Sequence, residues 1–232
     1  MIGATRRTVL LGGLAGLAGA TLASPVRASG DSIAFDVVRE GQSIGSHRLR
    51  FDQTGGEVAV DIAIDLEVRF AWVPVFRYGH VNREIWRDGR LQRLDSRTHD
   101  DGRDHAVTAR QVDGRLLVDG DDGQIEVEPS VLTTSYWHPA SMMQQRLLDT
   151  QRGRLAEVST QLAGSDRLAV AGRQIVATRY DVLGDLTMTT WYGPEGQWSG
   201  LAFEARGSTI TYRAVEHLTD ERWSAIVAGM VG

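Results

Sequence analysis

The chain has 232 residues, 42% hydrophobic and 24% charged, a balance that fits a globular protein with a sizeable core and excludes a disordered or collagen-like chain. The 30 acidic residues outnumber the 25 basic ones, all of which are arginine, and the formal charge is -5. This balance argues against nucleic acid as a partner, because phosphate binding needs a basic surface. The absence of cysteine excludes disulfides, thiolate metal sites and cysteine nucleophiles.

The N-terminus has the order of a signal peptide. Arg6 and Arg7 precede an uncharged run rich in leucine, glycine and alanine over 11–23, and Val26 and Ala28 then provide the small residues of a cleavage site. The paired arginines are typical of the twin-arginine export route, so we expect residues 1–28 to be removed and the mature protein to be periplasmic. A membrane span needs about 20 apolar residues, so we expect no stable span after cleavage.

A period of two, typical of β-strands, dominates the rest of the chain. The clearest run is 57–70, where larger apolar side chains alternate with charged residues or alanine. Turn signals such as Asp88-Gly89 and Asp101-Gly102 recur between the alternating runs. The candidate strands lie at 33–39, 44–52, 58–70, 78–86, 91–98, 105–112, 116–118, 125–127, 154–162, 173–182, 187–192, 198–205 and 208–215.

Some of these candidates should merge or fail, so the pattern predicts a mainly β fold with roughly ten or eleven strands. Long strands with one apolar face suit a single antiparallel sheet curled into a half-barrel, with its apolar side concave. No repeat, linker or change in composition marks a second domain. Residues 29–232 are therefore predicted to form one β-rich domain.

Two segments depart from the strand pattern. Residues 141–148 lack alternation and contain good helix formers, with Ser141 as a capping residue, which predicts a short helix there. The tail 219–231 offers Thr219 as a cap and spaces its apolar residues at helical intervals. We therefore expect a C-terminal helix, either docked on the sheet or frayed.

Polar and aromatic side chains alternate along one predicted strand and so share one of its faces. They are Tyr78, His80, Asn82, Glu84 and Trp86. This row could line a cavity, with His80 and Glu84 placed for proton transfer. We favour the other interpretation, in which the row faces solvent while Val81 and Ile85 point inward.

A second histidine flanks the interruption near 141–148. His138 and Asp149 could form a dyad with Ser135 or Ser141 as the nucleophile, but this needs a geometry that spacing does not demonstrate. The chain has no Gly-x-Ser-x-Gly elbow and no His-Glu-x-x-His motif. We therefore favour a capping or pairing role for Asp149, and a core or pocket role for the neighbouring Trp137.

The remaining features are an apolar run, whose role stays open, and two acidic clusters, for which we favour a structural role. The apolar run from Trp72 to Phe76 follows the longest strand, and it either forms an exposed flap or closes the core. The histidines and acids of 99–105 could suggest a metal site, but their spacing favours a hairpin turn. The acids of 119–122 lack the alternating ligands of a calcium loop, and no metal or cofactor is predicted.

Several strings of the mature chain carry a family resemblance. They are Phe35-Asp36-Val37, Ile44-Gly45-Ser46-His47, Tyr78-Gly79-His80, Thr134-Ser135-Tyr136-Trp137, Leu147-Leu148-Asp149 and Trp191-Tyr192. Together they resemble an uncharacterised, DUF6134-like family of secreted bacterial proteins over nearly the whole mature chain. At fold level the family resembles lipoprotein-carrier half-barrels, which implies a sheet curled around apolar contents. His138 departs from the asparagine expected there, which argues against an essential histidine.

These patterns together predict a non-catalytic periplasmic protein that binds or shields a lipid or another hydrophobic small molecule in the concave face. Two alternatives stay open, a hydrolase-like enzyme with a His/carboxylate pair and an envelope protein-interaction module. The sequence decides neither the ligand nor the oligomeric state. The predicted ligand-binding residues are Trp72, Phe76, Tyr78, His80, Glu84, Trp86, Trp137, His138, Asp149 and Trp191.

Overall fold

The computed structural model describes residues 31–230, so the predicted signal peptide 1–28 lies outside the described residues. Within that range the chain forms one antiparallel sheet of fourteen strands. The strands are β1 (Ser32–Arg39), β2 (Gln42–Thr54), β3 (Glu57–Phe70), β4 (Val73–Arg87), β5 (Arg90–Asp100), β6 (Arg103–Val112), β7 (Arg115–Gly120), β8 (Gly123–Val127), β9 (Arg146–Leu148), β10 (Leu155–Val170), β11 (Arg173–Gly184), β12 (Met188–Tyr192), β13 (Trp198–Ala205) and β14 (Ser208–Glu216).

The sheet is a meander whose first and last strands pair in its middle. Strands β1 to β8 follow one another, as do β9 to β14, and β1 pairs with β14 through contacts such as Phe35 opposite Ala214. Strands β8 and β9 are left as the two edges, so the sheet does not close into a barrel. It is curled, because Tyr78 on β4 and Phe203 on β13 line one cavity although four strands lie between theirs.

All thirteen candidate strands form, and none of them merges, so the predicted count of ten or eleven is too low. Tight turns keep the neighbours separate. Asp88, Asp101 and Asp113 adopt positive φ values of 48°, 48° and 49°, which aspartate tolerates in a hairpin turn. The fourteenth strand, β9, lies in a segment for which the pattern predicts no strand.

The predicted short helix near 141–148 forms only at its start. A 3-10 helix spans Pro139–Met143, and the chain then extends into β9, where Leu147 and Leu148 are fully buried and pair with β10. Residues with good helix propensity thus take strand geometry, because pairing with a distant strand and burial of two leucines outweigh a propensity of tenths of a kcal/mol.

The predicted C-terminal helix is confirmed as α1 (Asp220–Ala228). The Thr219 hydroxyl accepts a hydrogen bond from the Arg222 amide at 3.3 Å, which caps the first turn. Trp223 and Ile226 are buried and dock the helix on the core. Within residues 31–230, no helix combines the length and the apolar character needed to cross a membrane.

Candidate functional site

The row of polar and aromatic residues on β4 faces the concave interior, so the solvent-facing interpretation is wrong. Glu84 is completely buried and His80 is 5% exposed, whereas Val81, expected to point inward, is 55% exposed. The reason is the connection between β8 and β9, which runs inside the curl and places Thr133 and Trp137 against the row. Donors from the row and from the connection both reach Glu84 there, whereas Asn82 Oδ1 has no partner among the described residues.

Glu84 is the centre of that contact. Asn82 Nδ2 and Thr133 Oγ1 both donate to its Oε1 at 2.9 Å. The indole nitrogens of Trp86 and Trp137 donate to its Oε2 at 2.9 and 3.1 Å. The Thr133 proton is used on Glu84, so the Ser135 hydroxyl donates to Thr133 Oγ1 at 2.5 Å. The carboxyl group therefore joins the sheet to the internal connection.

Aromatic rings fill the space around this carboxyl group. Trp137 meets Trp86, Phe51 and Trp223 edge to face, at centroid distances of 6.1, 5.4 and 6.4 Å. All four rings are at most 2% exposed. We call these four residues and Glu84 the packed end of the interior, since its side chains fill the curl themselves.

The interior is hollow beyond His80. A cavity of about 370 Å³, here called the polar chamber, lies within the range of about 300–1,000 Å³ that is usual for small-molecule sites. Segments 134–136 and 149–151, from the two sides of β9, close one side of it. Its walls include His47, Ile64, Tyr78, His80, Tyr136, Asp149, Thr150, Gln151, Asp185, Trp198 and Tyr212.

A second cavity of about 400 Å³ adjoins the first, and we call it the apolar chamber. The two share walls, among them Ile64, Tyr78 and Phe203, and are thus neighbouring parts of one hollow region. The apolar chamber reaches the β3–β4 hairpin. Its other walls are mainly aliphatic or aromatic and include Ile44, Leu66, Val68, Val75, Phe76, Ala205 and Ile210, with Arg39 and Arg206 also contributing.

Two buried histidines lie in the wall of the polar chamber. His80 Nδ1 is 2.8 Å from Thr98 Oγ1, and its Nε2 is 3.5 Å from Thr150 Oγ1. Burial lowers the pKa of His80 to about 4. Burial, followed by the nearby His80, lowers the pKa of His47 to about 3. Both rings are therefore neutral near pH 7.

The structure does not bring together either of the two alternative His/carboxylate pairs. In the described part of the chain no hydrogen bond joins His80 to Glu84 or His138 to Asp149. His138 Nδ1 accepts from the Ala140 amide at 3.2 Å and caps the 3-10 helix. Asp149 Oδ1 accepts from the amides of Gln151 and Arg152. These groups hold loops in place, and a shared proton path between them has no geometric support.

The ten predicted ligand-binding residues separate into distinct groups. Tyr78, His80 and Asp149 line the polar chamber, and Phe76 with Tyr78 lines the apolar one. Glu84, Trp86 and Trp137 belong to the packed end, and His138 is a helix cap. The wall residues that sequence reasoning missed include His47, Ile64, Phe203 and Tyr212.

Trp72 and Trp191 lie outside the cavities. Trp72, at the tip of the β3–β4 hairpin, is 82% exposed, so the run 72–76 ends in an exposed tip while Phe76 turns to the chamber wall. Trp191 alternates with Tyr192, whose hydroxyl reaches the internal carbonyl of Tyr136, and therefore projects to the opposite face. There its indole nitrogen donates to Asp166 of the β10–β11 hairpin at 2.8 Å.

The histidine and acid cluster of 99–105 is a hairpin turn, as its spacing predicts. Asp101 and Gly102 form the turn between β5 and β6. His99 Nδ1 is 2.7 Å from Asp104, whereas His105 Nδ1 is 2.6 Å from Asp121 on the next hairpin. Within residues 31–230, no group of three or more histidine or acidic side chains has metal-binding geometry.

The chain matches the family model described as "Domain of unknown function (DUF6134)" over residues 35–215, which confirms the resemblance carried by its sequence strings. It is also similar to the crystal structure of a β-barrel-like protein of domain of unknown function DUF1849 from Brucella abortus. That likeness has a TM-score of 0.57 and 9% identity, covers 80% of this chain and 95% of that chain, and shows the fold alone. The comparison with curated proteins finds no match. Because the family model spans most of the chain, this protein belongs to the DUF6134 family.

Proposed function

We propose that the mature protein is a periplasmic binding protein that holds an apolar ligand, such as a lipid, within its curled sheet and performs no catalysis. The observation that carries the proposal is the pair of adjoining chambers, of about 370 and 400 Å³, in the otherwise packed interior. Apolar pockets with a few polar groups are the usual form of small-molecule sites.

Burial of apolar surface in the apolar chamber would provide most of the free energy of binding. Aliphatic and aromatic side chains, such as Leu66, Phe76 and Phe203, dominate its wall. Removing apolar surface from water contributes roughly 25 cal/mol per Å². A hydrocarbon group that covers these side chains is thus stabilised without any specific polar contact.

The periplasmic location is part of the proposal and rests on the N-terminal sequence. Arg6 and Arg7, the following apolar run and Ala28 support export by the twin-arginine route. Because that route carries folded proteins, the sheet would form in the cytosol and could enclose its ligand before export.

The proposal is tested by a substitution that fills the apolar chamber with a larger side chain. Ala205 lies in its wall, so Ala205→Phe places a ring in the space proposed for the ligand. We expect the substitution to lower the affinity for the neutral lipophilic dye N-phenylnaphthylamine by about tenfold or more, because the apolar contact area is lost. Dye fluorescence during titration with the purified mature protein measures the affinity.

Ala63→Phe is the matched control. Ala63 lies on exposed outer surface of β3, whose inward residues Ile62 and Ile64 line the polar chamber. The control should bind the dye as the wild type does. Equal binding by all three proteins would place the dye elsewhere and would overturn the proposal, as would absence of binding to the wild type.

A further inference from the structure

His47 and His80 share one transverse row of the sheet but differ in their hydrogen bonding. Across the strands, His47 lies opposite Ile64, Ile64 opposite His80, and His80 opposite Thr98. The two histidines therefore flank one wall residue of the polar chamber. His80 has a hydroxyl group near each ring nitrogen, at Thr98 and Thr150.

His47 has no such partners. It is 4% exposed, and among the described residues neither Nδ1 nor Nε2 has a hydrogen-bond partner. The rings of Phe35, Trp198 and Tyr212 surround it at centroid distances of 6.1, 5.2 and 5.6 Å. Nine buried side-chain atoms of the described residues have no hydrogen-bond partner, and His47 is the one side chain that contributes two of them, which calls for a cause.

The protonation state of His47 restricts the groups that can satisfy it. A neutral imidazole presents one donor and one acceptor. A hydroxyl or an amide group matches both, because each can donate and accept. A carboxylate or phosphate matches only the donor, and burying its charge without a cation is costly.

The charges around the chambers also favour an uncharged ligand. Asp149 and Asp185 line the polar chamber, and no arginine is among its described walls. In the apolar chamber Arg206 already pairs with Asp101 at 3.0 Å and stacks on Phe76 at 4.6 Å. Arg39 donates to Ser208 at 2.8 Å. In the polar chamber an anionic head group would be repelled by the two aspartates. In the apolar chamber both arginines already have partners within the protein.

We propose that the ligand is an uncharged amphiphile, whose hydroxyl or amide group hydrogen-bonds to His47 while its hydrocarbon part occupies the apolar chamber. This inference rests on the proposed function and adds the class of ligand. The shared walls Ile64, Tyr78 and Tyr212 place the two chambers side by side, so one molecule can contact both.

The experiment compares three compounds with the same chain, which are decanol, decyl methyl ether and decanoate. Each displaces N-phenylnaphthylamine from the mature protein at neutral pH, and the ether differs from decanol in lacking the hydroxyl donor. We expect decanol to bind the wild type most tightly. His47→Phe removes both nitrogens and should weaken decanol about tenfold, the equivalent of one hydrogen bond, and should weaken the ether less, because the ether oxygen can accept from His47 but has no proton to donate.

Two further measurements separate binding from folding. His47→Gln keeps both kinds of group, since its amide NH2 donates and its carbonyl oxygen accepts, so it should retain the preference for decanol. The urea midpoint of His47→Phe should not fall, because the substitution removes an unsatisfied polar group from an aromatic cluster. A fall would show that His47 has partners within the protein and would overturn the inference.

The outcomes distinguish this inference from the proposed function. If the dye binds but decanol shows no preference over the ether, or loses nothing in His47→Phe, the cavity binds ligands and the His47 anchor is wrong. Tighter binding of decanoate would also overturn the uncharged class. If the dye does not bind to the wild type at all, the proposed function itself fails.

Discussion

The packed end and the chambers lie in the same concave interior but treat their polar groups in opposite ways. At the packed end, Glu84 receives four hydrogen bonds and is surrounded by close-packed rings. At the chambers, His47 is 4% exposed and has no partner for either nitrogen within the described chain. One continuous sheet forms the outer wall of both regions. The two regions differ in how the connection between β8 and β9 packs against that sheet.

This contrast separates a structural polar group from a candidate binding group. Glu84 and its donors come from β4 and from the internal connection, so the protein supplies both halves of every contact. His47 lies in the wall of the polar chamber, and the described residues supply no partner for its nitrogens. Burial alone does not mark a site, whereas burial without internal partners next to a cavity does.

The largest expected effect comes from removing the centre of the packed end. Glu84→Ala leaves four donors without their acceptor, two of them buried indole groups. We expect the free energy of unfolding to fall by about 4 kcal/mol, since each unsatisfied buried group costs about 1–3 kcal/mol and relaxation recovers part of the sum. Urea unfolding followed by tryptophan fluorescence measures the change.

Glu57→Ala is the control for this prediction. Its carboxyl group pairs with Arg87 at 2.6 Å on the surface, and its loss should change stability by less than about 1 kcal/mol. If Glu84→Ala behaved like the control, the contrast between the two ends would lose its basis, because the internal connection would not depend on this carboxyl group.

A smaller effect is expected where the chain closes over the polar chamber. A Cβ atom on Gly120 would lie 2.3 Å from the carbonyl oxygen of Arg152, next to the wall segment 149–151. Gly120→Ala should therefore displace that segment, lower the free energy of unfolding by about 2 kcal/mol, and weaken dye binding. Urea unfolding and dye titration measure the two effects.

Gly79 provides the matching substitution on β4. A Cβ atom there meets no described atom within 4 Å, so Gly79→Ala should be neutral or stabilise by about 0.5 kcal/mol. Equal effects of the two substitutions would show that the contact of Gly120 with Arg152 does not support the wall of the chamber.

The last effect is a slope rather than a single loss of stability: the free energy of unfolding depends on pH through two histidines at the chambers. The pKa of His47 is lowered to about 3 and that of His80 to about 4, from 6.5. Below about pH 6.5 these histidines are therefore protonated in the unfolded chain but remain neutral in the folded chain. The free energy of unfolding falls as the pH drops, by up to 1.4 kcal/mol per pH unit for each histidine. At higher pH both states are neutral and the contribution is constant.

His47→Phe should remove one histidine's share of this slope. Burial also lowers the pKa of His138 and His217, so the profile becomes flatter without becoming level. Urea unfolding of wild type and variant at several pH values between about 7 and 5 measures the slopes. Identical slopes would contradict the burial of a neutral His47.

Local features of this fold are predictable from the sequence. The alternation that marks each strand and the aspartates at positive φ depend on neighbouring residues, and all thirteen candidate strands form. The helix α1 is equally local, with its cap at Thr219 and a buried face of Trp223 and Ile226. Phe76 and Tyr78 stand out in the sequence as aromatic residues on a strand, and both line the cavities.

Features that depend on distant residues are not predictable in this way. Strand β9 exists because it pairs with β10, and the inward orientation of Glu84 depends on Thr133 and Trp137, about 50 residues away. No local pattern encodes either contact. His47 did carry a local signal, since it lies in phase with the buried Leu49 and Phe51 on β2, and a histidine in an apolar phase marks a candidate site.

Native mass spectrometry of the mature protein purified from periplasm tests the central claim most directly. The account predicts a non-covalently bound molecule in wild type and in Ala63→Phe, and its loss from Ala205→Phe, where the apolar chamber is filled. The bare polypeptide in all three samples, or the same added mass retained by Ala205→Phe, would contradict a ligand held in the hollow part of the sheet.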